Sequence, residues 1–170
     1  MNEKKKVAIV MGSKSDVPVM EKTAEILTQF GIEFEIIIAS AHLTPHLVHQ
    51  YAAQAAQRGI AIIIAGAGSA AHLAGALASE TNLPVIGVPL PSSPFNGLDS
   101  LLSTIQMPAG IPVATMAVGQ AGATNAGILA AQILALSDPD LARALQQYRQ
   151  RLAEEVQNQS YQYSQSLNRP

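Results

Sequence analysis

The sequence predicts a three-layer α/β domain built on one parallel sheet. Two observations carry that expectation. Short runs rich in β-branched residues alternate with helical patterns along most of the chain. Three small-residue stretches, MGSKSD at Met11 to Asp16, SAHLTP at Ser40 to Pro45 and AGAGSAAH at Ala65 to His72, each follow such a run and precede a helical pattern. Strands joined by helices run parallel through right-handed crossovers. The three loops therefore leave the sheet at one edge, the edge where ligands bind in open α/β sheets.

Each element has its own local justification. Val7 to Met11, Glu35 to Ala39, Ile60 to Ala65, Val85 to Val88 and Val113 to Val118 are short, β-rich and bounded by Gly or Pro, as buried strands are. Between the first two, Asp16 to Phe30 places Val19, Thr23, Ile26, Leu27 and Phe30 on one helical face, and Gly31 follows as a C′ residue. Thr44 is an expected N-cap with Pro45 at the first helical position, and Leu47, Val48 and Tyr51 begin the apolar face of the next helix before Gly59. The sheet type is flavodoxin-like or Rossmann-like, over a core of residues 6 to about 136. After it, Ser137 and Asp138 offer caps, Pro139 suits a first turn, and Leu141, Leu145, Tyr148, Leu152 and Val156 recur every three to four residues. This appended amphipathic helix, 138–158, either folds back on its own domain or packs on a neighbouring subunit. Beyond Asn158 the Gln, Ser and Tyr content predicts a loosely ordered end.

At 170 residues with 48% apolar content, the chain suits a single domain with a full core. A net charge of −2 argues against nucleic-acid or membrane-surface binding, and Lys4 to Lys6 read as a solvated tail. The first apolar run is too short for a signal peptide and nothing approaches a membrane span, so a cytoplasmic protein is expected. The absence of cysteine removes disulfides, thiolate catalysis and cysteine-ligated zinc.

No Lys or Arg occurs between Arg58 and Arg143. An anion held by the small-residue loops must then be bound mainly by backbone N–H groups and helix N-termini. Lys14 is the one cation of the first loop, either a ligand contact or a solvated side chain. Gly66, Gly68 and Ala71 fit G-x-G-x-x-A after a strand, but about 20 residues onward the chain reads VPLPSSP, without the acid a dinucleotide ribose needs. The first loop lacks the second glycine of a P-loop. A mononucleotide or sugar phosphate fits these loops better. His42, His46 and His49 have no neighbouring carboxylate or cysteine in sequence, and His42 precedes the Thr44 cap, so no metal site is expected. His42 is instead the catalytic candidate, since imidazole side chains titrate near neutrality and this one lies in a loop at the ligand edge.

Five ordered motifs add a resemblance. GSKSD at Gly12 to Asp16, SAH-TP around His42, AGAG-AAHL at Ala65 to Leu73, NGLDSLLS at Asn96 to Ser103 and QMPAGIPVAT at Gln106 to Thr115 resemble the 5-(carboxyamino)imidazole ribonucleotide mutases of purine biosynthesis, over residues 6 to 136. The resemblance implies a flavodoxin-like subunit, a homo-octamer exchanging C-terminal helices, and no metal or organic cofactor. It implies that a carboxylate moves from the exocyclic nitrogen of the aminoimidazole ribonucleotide to a ring carbon through carbon dioxide released and recaptured in a closed pocket. His42 would donate a proton to the nitrogen and later remove one from the carbon. Ser13 and Asp16 would bind the ribosyl phosphate portion, with Asp16 on a ribose hydroxyl, and Gly12 would be a further substrate-binding residue. Ser40, Gly68, Ser69 and His72 would line the rest of the pocket, and position 43 belongs to the phosphate site.

The chain departs from that family's pattern at several of these positions. Leu43 stands where the family has a phosphate-binding Arg, Gln120 where Lys is common, Ser69 for a usual Gly and Ala74 for a usual Pro. Residues Pro89 to Phe95 also differ. Three functions are consistent with the sequence: the mutase, the related carboxylase that takes free carbon dioxide, and a non-catalytic paralogue binding an altered or unphosphorylated ligand.

Overall fold

The computed structural model describes residues 5–167, and side-chain surroundings as far as Tyr163. The chain forms two compact units, one ending at Ala130 and one beginning at Ala131. The first contains a five-stranded parallel sheet: β1 (Lys6–Met11), β2 (Phe34–Ile38), β3 (Ile60–Gly68), β4 (Val85–Leu90) and β5 (Ala114–Thr115), in the order β2-β1-β3-β4-β5. The helices are α1 (Val17–Gln29), α2 (Pro45–Ala55), α3 (Leu73–Ala78), α4 (Leu98–Ile105), α5 (Gln120–Ala135) and α6 (Pro139–Leu167). This is the flavodoxin-like order, and it puts a topological switch point between β1 and β3, where the chain turns to build outward in the opposite direction.

Side-chain alternation divides the core into two layers. On one face Ala8, Val10, Ile63 and Ala65 pack with Val48, Tyr51, Ala52 and Ala55 of α2 and with Leu73, Ala74, Leu77 and Ala78 of α3. On the other lie α1 and α5. Thr23 of α1, fully buried, donates its hydroxyl to the Ala123 carbonyl of α5 at 2.8 Å, and Gly127 leaves room for Ile26. Two sheet glycines let helices sit close. A Cβ on Gly66 would fall 2.8 Å from Met20 Cγ of α1, and one on Gly87 would fall 2.6 Å from Thr104 Cγ2 of α4. Both are nearer than packed carbons approach, so glycine at these positions sets the helix-to-sheet distance.

The structure revises several local expectations. The chain enters α1 through a 3-10 turn at Lys14–Asp16, and Met20, rather than Val19, joins Thr23, Ile26 and Leu27 on the buried face. Thr44 precedes α2 but makes no side-chain cap; its hydroxyl is turned back to the Ser40 carbonyl at 3.1 Å. The last strand is two residues long, because Pro112 precedes it and only Ala114 and Thr115 keep register with β4. Leu47 of α2 is 40% exposed.

The second unit is dominated by α6. The helix does not stop near Asn158 but continues to Leu167. No Gly or Pro interrupts positions 140 to 169, and Gln, Arg, Leu and Glu are good helix formers, so nothing in the backbone chemistry ends the helix where the polar content rises.

Candidate functional site

The loops after β1, β2, β3 and β4 enclose a cleft of about 220 Å³, lined by Gly12, Ser13, Ser15, Asp16, Ser40, Ala41, His42, Ala67, Gly68, Ser69, Ala70, His72, Leu73 and Ser92. It sits at the switch point between β1 and β3. The three sequence stretches are thus brought together as expected, and a fourth loop joins them.

The first wall is the turn after β1. The Ser13 N–H donates to Asp16 Oδ2 at 2.9 Å, while Ser13 Oγ accepts from the Ser15 N–H at 3.2 Å and from the Ser15 hydroxyl at 2.9 Å. This reciprocal capping box closes the turn on itself. Asp16 is buried, and burial pushes its carboxyl above its ordinary value, opposed by hydrogen bonding within its turn, the Ser13 backbone N–H foremost.

The second wall, after β2, is also locked by its own hydroxyls. Ser40 Oγ accepts from the N–H groups of His42 at 3.3 Å and Leu43 at 3.1 Å, and the Ser40 N–H donates to Thr44 Oγ1 at 2.9 Å. Ser13 and Ser40 share a consequence. Each hydroxyl oxygen has two donors on it, so the proton of each is what remains to offer a ligand. Both serines are therefore set up as donors toward ligand oxygens.

The third wall carries strain and a close approach. Ser69 has φ +53, in the left-handed region that costs a non-glycine residue roughly 1–2 kcal/mol. Ser103 of α4 supports this loop: its hydroxyl accepts from the Ala71 N–H at 3.0 Å and donates to the Asp99 carbonyl at 2.8 Å. A Cβ on Gly68 would overlap Ser92 Oγ and lie 2.9 Å from Ser92 Cβ, so glycine lets the fourth loop close over the end of β3.

His42 and His72 meet across the cleft. His42 Nε2 lies 2.8 Å from His72 Nδ1, with ring centroids 4.9 Å apart and an interplanar angle of 74°. Both are exposed rather than buried in the core. Asp16 is the only acidic side chain on the lining, and neither Lys nor Arg is present there.

Of the expected positions, Gly12, Ser13, Asp16, Ser40, His42, Gly68, Ser69 and His72 line this cleft; Leu43 does not, being 85% exposed. Lys14 is exposed and is not on the lining either. Ser15 and Ser92 are additional lining residues. Ser15 lies inside a motif already marked, whereas nothing local in PLPSSPF distinguishes Ser92 from Ser93. His49 is drawn to Glu80 at 2.8 Å, and among the described residues no cluster of three or more His, Cys, Asp or Glu is arranged to hold a metal.

A 2-1-3-4-5 parallel sheet whose switch-point cleft combines hydroxyl donors, a carboxylate and an imidazole pair defines a flavodoxin-like protein with a cleft suited to a small polar ligand. The chain belongs to the AIR carboxylase family, whose sequence profile matches residues 6–155. It is 57% identical to N5-carboxyaminoimidazole ribonucleotide mutase of Thermotoga maritima, over 89% of this chain and 87% of that protein. It is 54% identical to the protein of the same name from Vibrio vulnificus, over 89% of this chain and 94% of the other. Among solved structures it is similar to Treponema denticola PurE, with a TM-score of 0.81 and 33% identity, covering 97% of this chain and 99% of that one.

Proposed function

We propose that the protein is an N5-carboxyaminoimidazole ribonucleotide mutase, an isomerase of purine biosynthesis, with His42 as its acid and base. The names and identity of its relatives support the reaction. The observation that carries the site is the gathering of His42, His72, Asp16 and two donor serines around one cleft at the switch point.

In this reading His42 protonates the exocyclic nitrogen as carbon dioxide leaves it, and takes the proton from the ring carbon after carbon dioxide has bonded there. The small residues from Gly66 to Ala71 let backbone approach the planar ring. Confinement keeps carbon dioxide next to its acceptor, so recombination is effectively intramolecular. Ser13 and Asp16 serve the ribosyl phosphate portion, with the Asp16 carboxylate accepting from a ribose hydroxyl, and Gly12 and Ser40 bind other parts of the substrate. Gly68, Ser69 and His72 complete the pocket, with no cofactor or metal assigned a role.

Leu43 makes phosphate binding depend on hydroxyl and backbone donors in place of a guanidinium. A charge-assisted hydrogen bond contributes about 1.5–3 kcal/mol, so its absence weakens binding roughly 10- to 150-fold. We place the protein in the cytoplasm as a homo-octamer in which one continuous domain lends its C-terminal helix to a neighbour. Exposed Leu152 and Val156 on α6, at 44% and 66%, and Leu98, Leu102 and Ile105 on α4 support that assembly. No described helix is long and apolar enough to cross a membrane.

The test is an ultraviolet assay of the purified protein with N5-carboxyaminoimidazole ribonucleotide, following the 4-carboxy product over a wide range of substrate concentration. Turnover with an elevated KM is expected. No turnover near saturation refutes the mutase reading. Labelled bicarbonate entering product faster than by slow exchange would point to the carboxylase.

A further inference from the structure

We propose that His72, besides lining the pocket, is a relay and positioning residue for His42, acting on its proton; this rests on the mutase reading. The 2.8 Å bond joins His42 Nε2 to His72 Nδ1. Two neutral imidazoles make such a bond only when one facing nitrogen carries hydrogen and the other does not. The tautomer of each ring therefore dictates that of the other.

Two coupled states follow. In the first, His72 donates from Nδ1–H to His42 Nε2, and His42 carries its own hydrogen on Nδ1. In the second, His42 donates from Nε2–H, its Nδ1 holds a lone pair, and His72 carries hydrogen on Nε2. The first is an acid at His42 Nδ1 and the second a base at the same atom. Conversion from acid to base moves one proton from His42 Nδ1 to the substrate nitrogen, one from His72 Nδ1 to His42 Nε2, and one from a solvent water to His72 Nε2, leaving that water as hydroxide. The return takes the proton from the ring carbon, passes one back across the bridge and releases one from His72 Nε2 to the hydroxide, which becomes water again. Each traverse balances, and neither ring becomes a cation or an anion at its end. His72 is exposed, so its Nε2 has access to the water this exchange needs. Asp16 is the only other titratable side chain on the lining, and its oxygens are engaged by the turn after β1.

The proposal assigns the pair a function that one histidine lacks. His42 must be acid first and base second within one turnover; a lone neutral ring that gave up its Nδ1 proton would be left an imidazolate, whereas here the partner returns a proton to Nε2 and the ring stays neutral. A partner that is itself a two-state imidazole permits both.

The experiment compares wild type with His72→Ala and His72→Asn. Asn keeps a polar atom near the place of Nδ1 but cannot pass a proton through itself. Both variants are expected to lose about tenfold or more in kcat, with KM within about threefold of wild type. Added imidazole should restore a rising share of kcat in His72→Ala. A KM increase with kcat intact would instead make His72 a substrate contact, and unchanged kinetics or no response to imidazole would overturn the relay. Nitrogen NMR of the His42 ring, read without substrate, is expected to show altered tautomer populations in His72→Asn; identical resonances in wild type and variant would equally overturn the pairing. Lack of turnover in wild type with a clear NMR effect would sink the mutase reading and leave the imidazole pair standing.

Discussion

Two polar clusters in the sheet-bearing unit make opposite use of similar groups. Tyr51 of α2 donates its hydroxyl to Glu35 Oε1 at 2.7 Å, Arg58 reaches the same oxygen at 2.9 Å, and the guanidinium lies 4.5 Å from the Tyr51 ring centroid. Every partner there is another part of the chain. Burial pushes the Tyr51 phenol up, and the Glu35 carboxylate adds to the effect, so the hydroxyl stays a donor at any ordinary pH. In the switch-point cleft, by contrast, Ser13 and Ser40 hold a proton in reserve and His42 keeps one nitrogen clear of its bond to His72. A closed set of partners ties β2 to α2; an open one leaves capacity for a ligand.

The largest expected separation between the clusters comes from His42→Asn. Turnover should fall by about 10²- to 10⁴-fold, while circular dichroism and thermal unfolding stay at wild-type values. Retained turnover would remove His42 from proton transfer. Next in size is Leu43→Arg, where a side chain already 85% exposed can be replaced without repacking. KM should drop roughly 10- to 150-fold with kcat little changed if a phosphate occupies the adjoining site; a constant KM would place the phosphate elsewhere.

The closed cluster predicts the reverse pattern. Glu35→Ala leaves the buried Tyr51 hydroxyl without its acceptor and should cost about 1–3 kcal/mol in denaturant unfolding, with kcat/KM preserved. The Arg58 link adds little, since both charged side chains are about 40% exposed, as the 43% and 38% values show. Activity loss out of proportion to stability would mean that the two clusters communicate.

The smallest effect belongs to Asp16. Its raised carboxyl binds a proton more tightly in the folded than in the unfolded state. Stability from this group is fullest in acid and declines as pH rises above the ordinary carboxyl range, levelling off once the folded group has ionised. Asp16→Asn should flatten that decline in melting temperature against pH while raising KM. A decline that persists unchanged would assign it to other carboxylates.

The sheet was legible because buried parallel strands read as unbroken apolar runs rich in β-branched residues, as Ile60 to Ala65 does, and because glycine follows β1 and ends β3. The cleft was legible to the extent that its walls are loops after strands. What could not be read is cooperation at a distance. His42 and His72 are 30 positions apart, and their bond depends on β1 lying between β2 and β3. Ser92 reaches the cleft only because Gly68 is small. Thr44 misled for a different reason: its hydroxyl had two local acceptor and donor choices, and the Ser40 turn won over the helix end.

The Ser40 to Thr44 turn also bears on how such a protein can change. Its shape is held by the Ser40 and Thr44 hydroxyls and by the amide of residue 43, not by the side chain at 43. Mutation at that codon is thus nearly invisible to folding and, on the proposed phosphate contact, would be filtered through ligand affinity. A lineage can drift there toward a weaker or different ligand, or back again, without first acquiring a compensating substitution elsewhere in the chain.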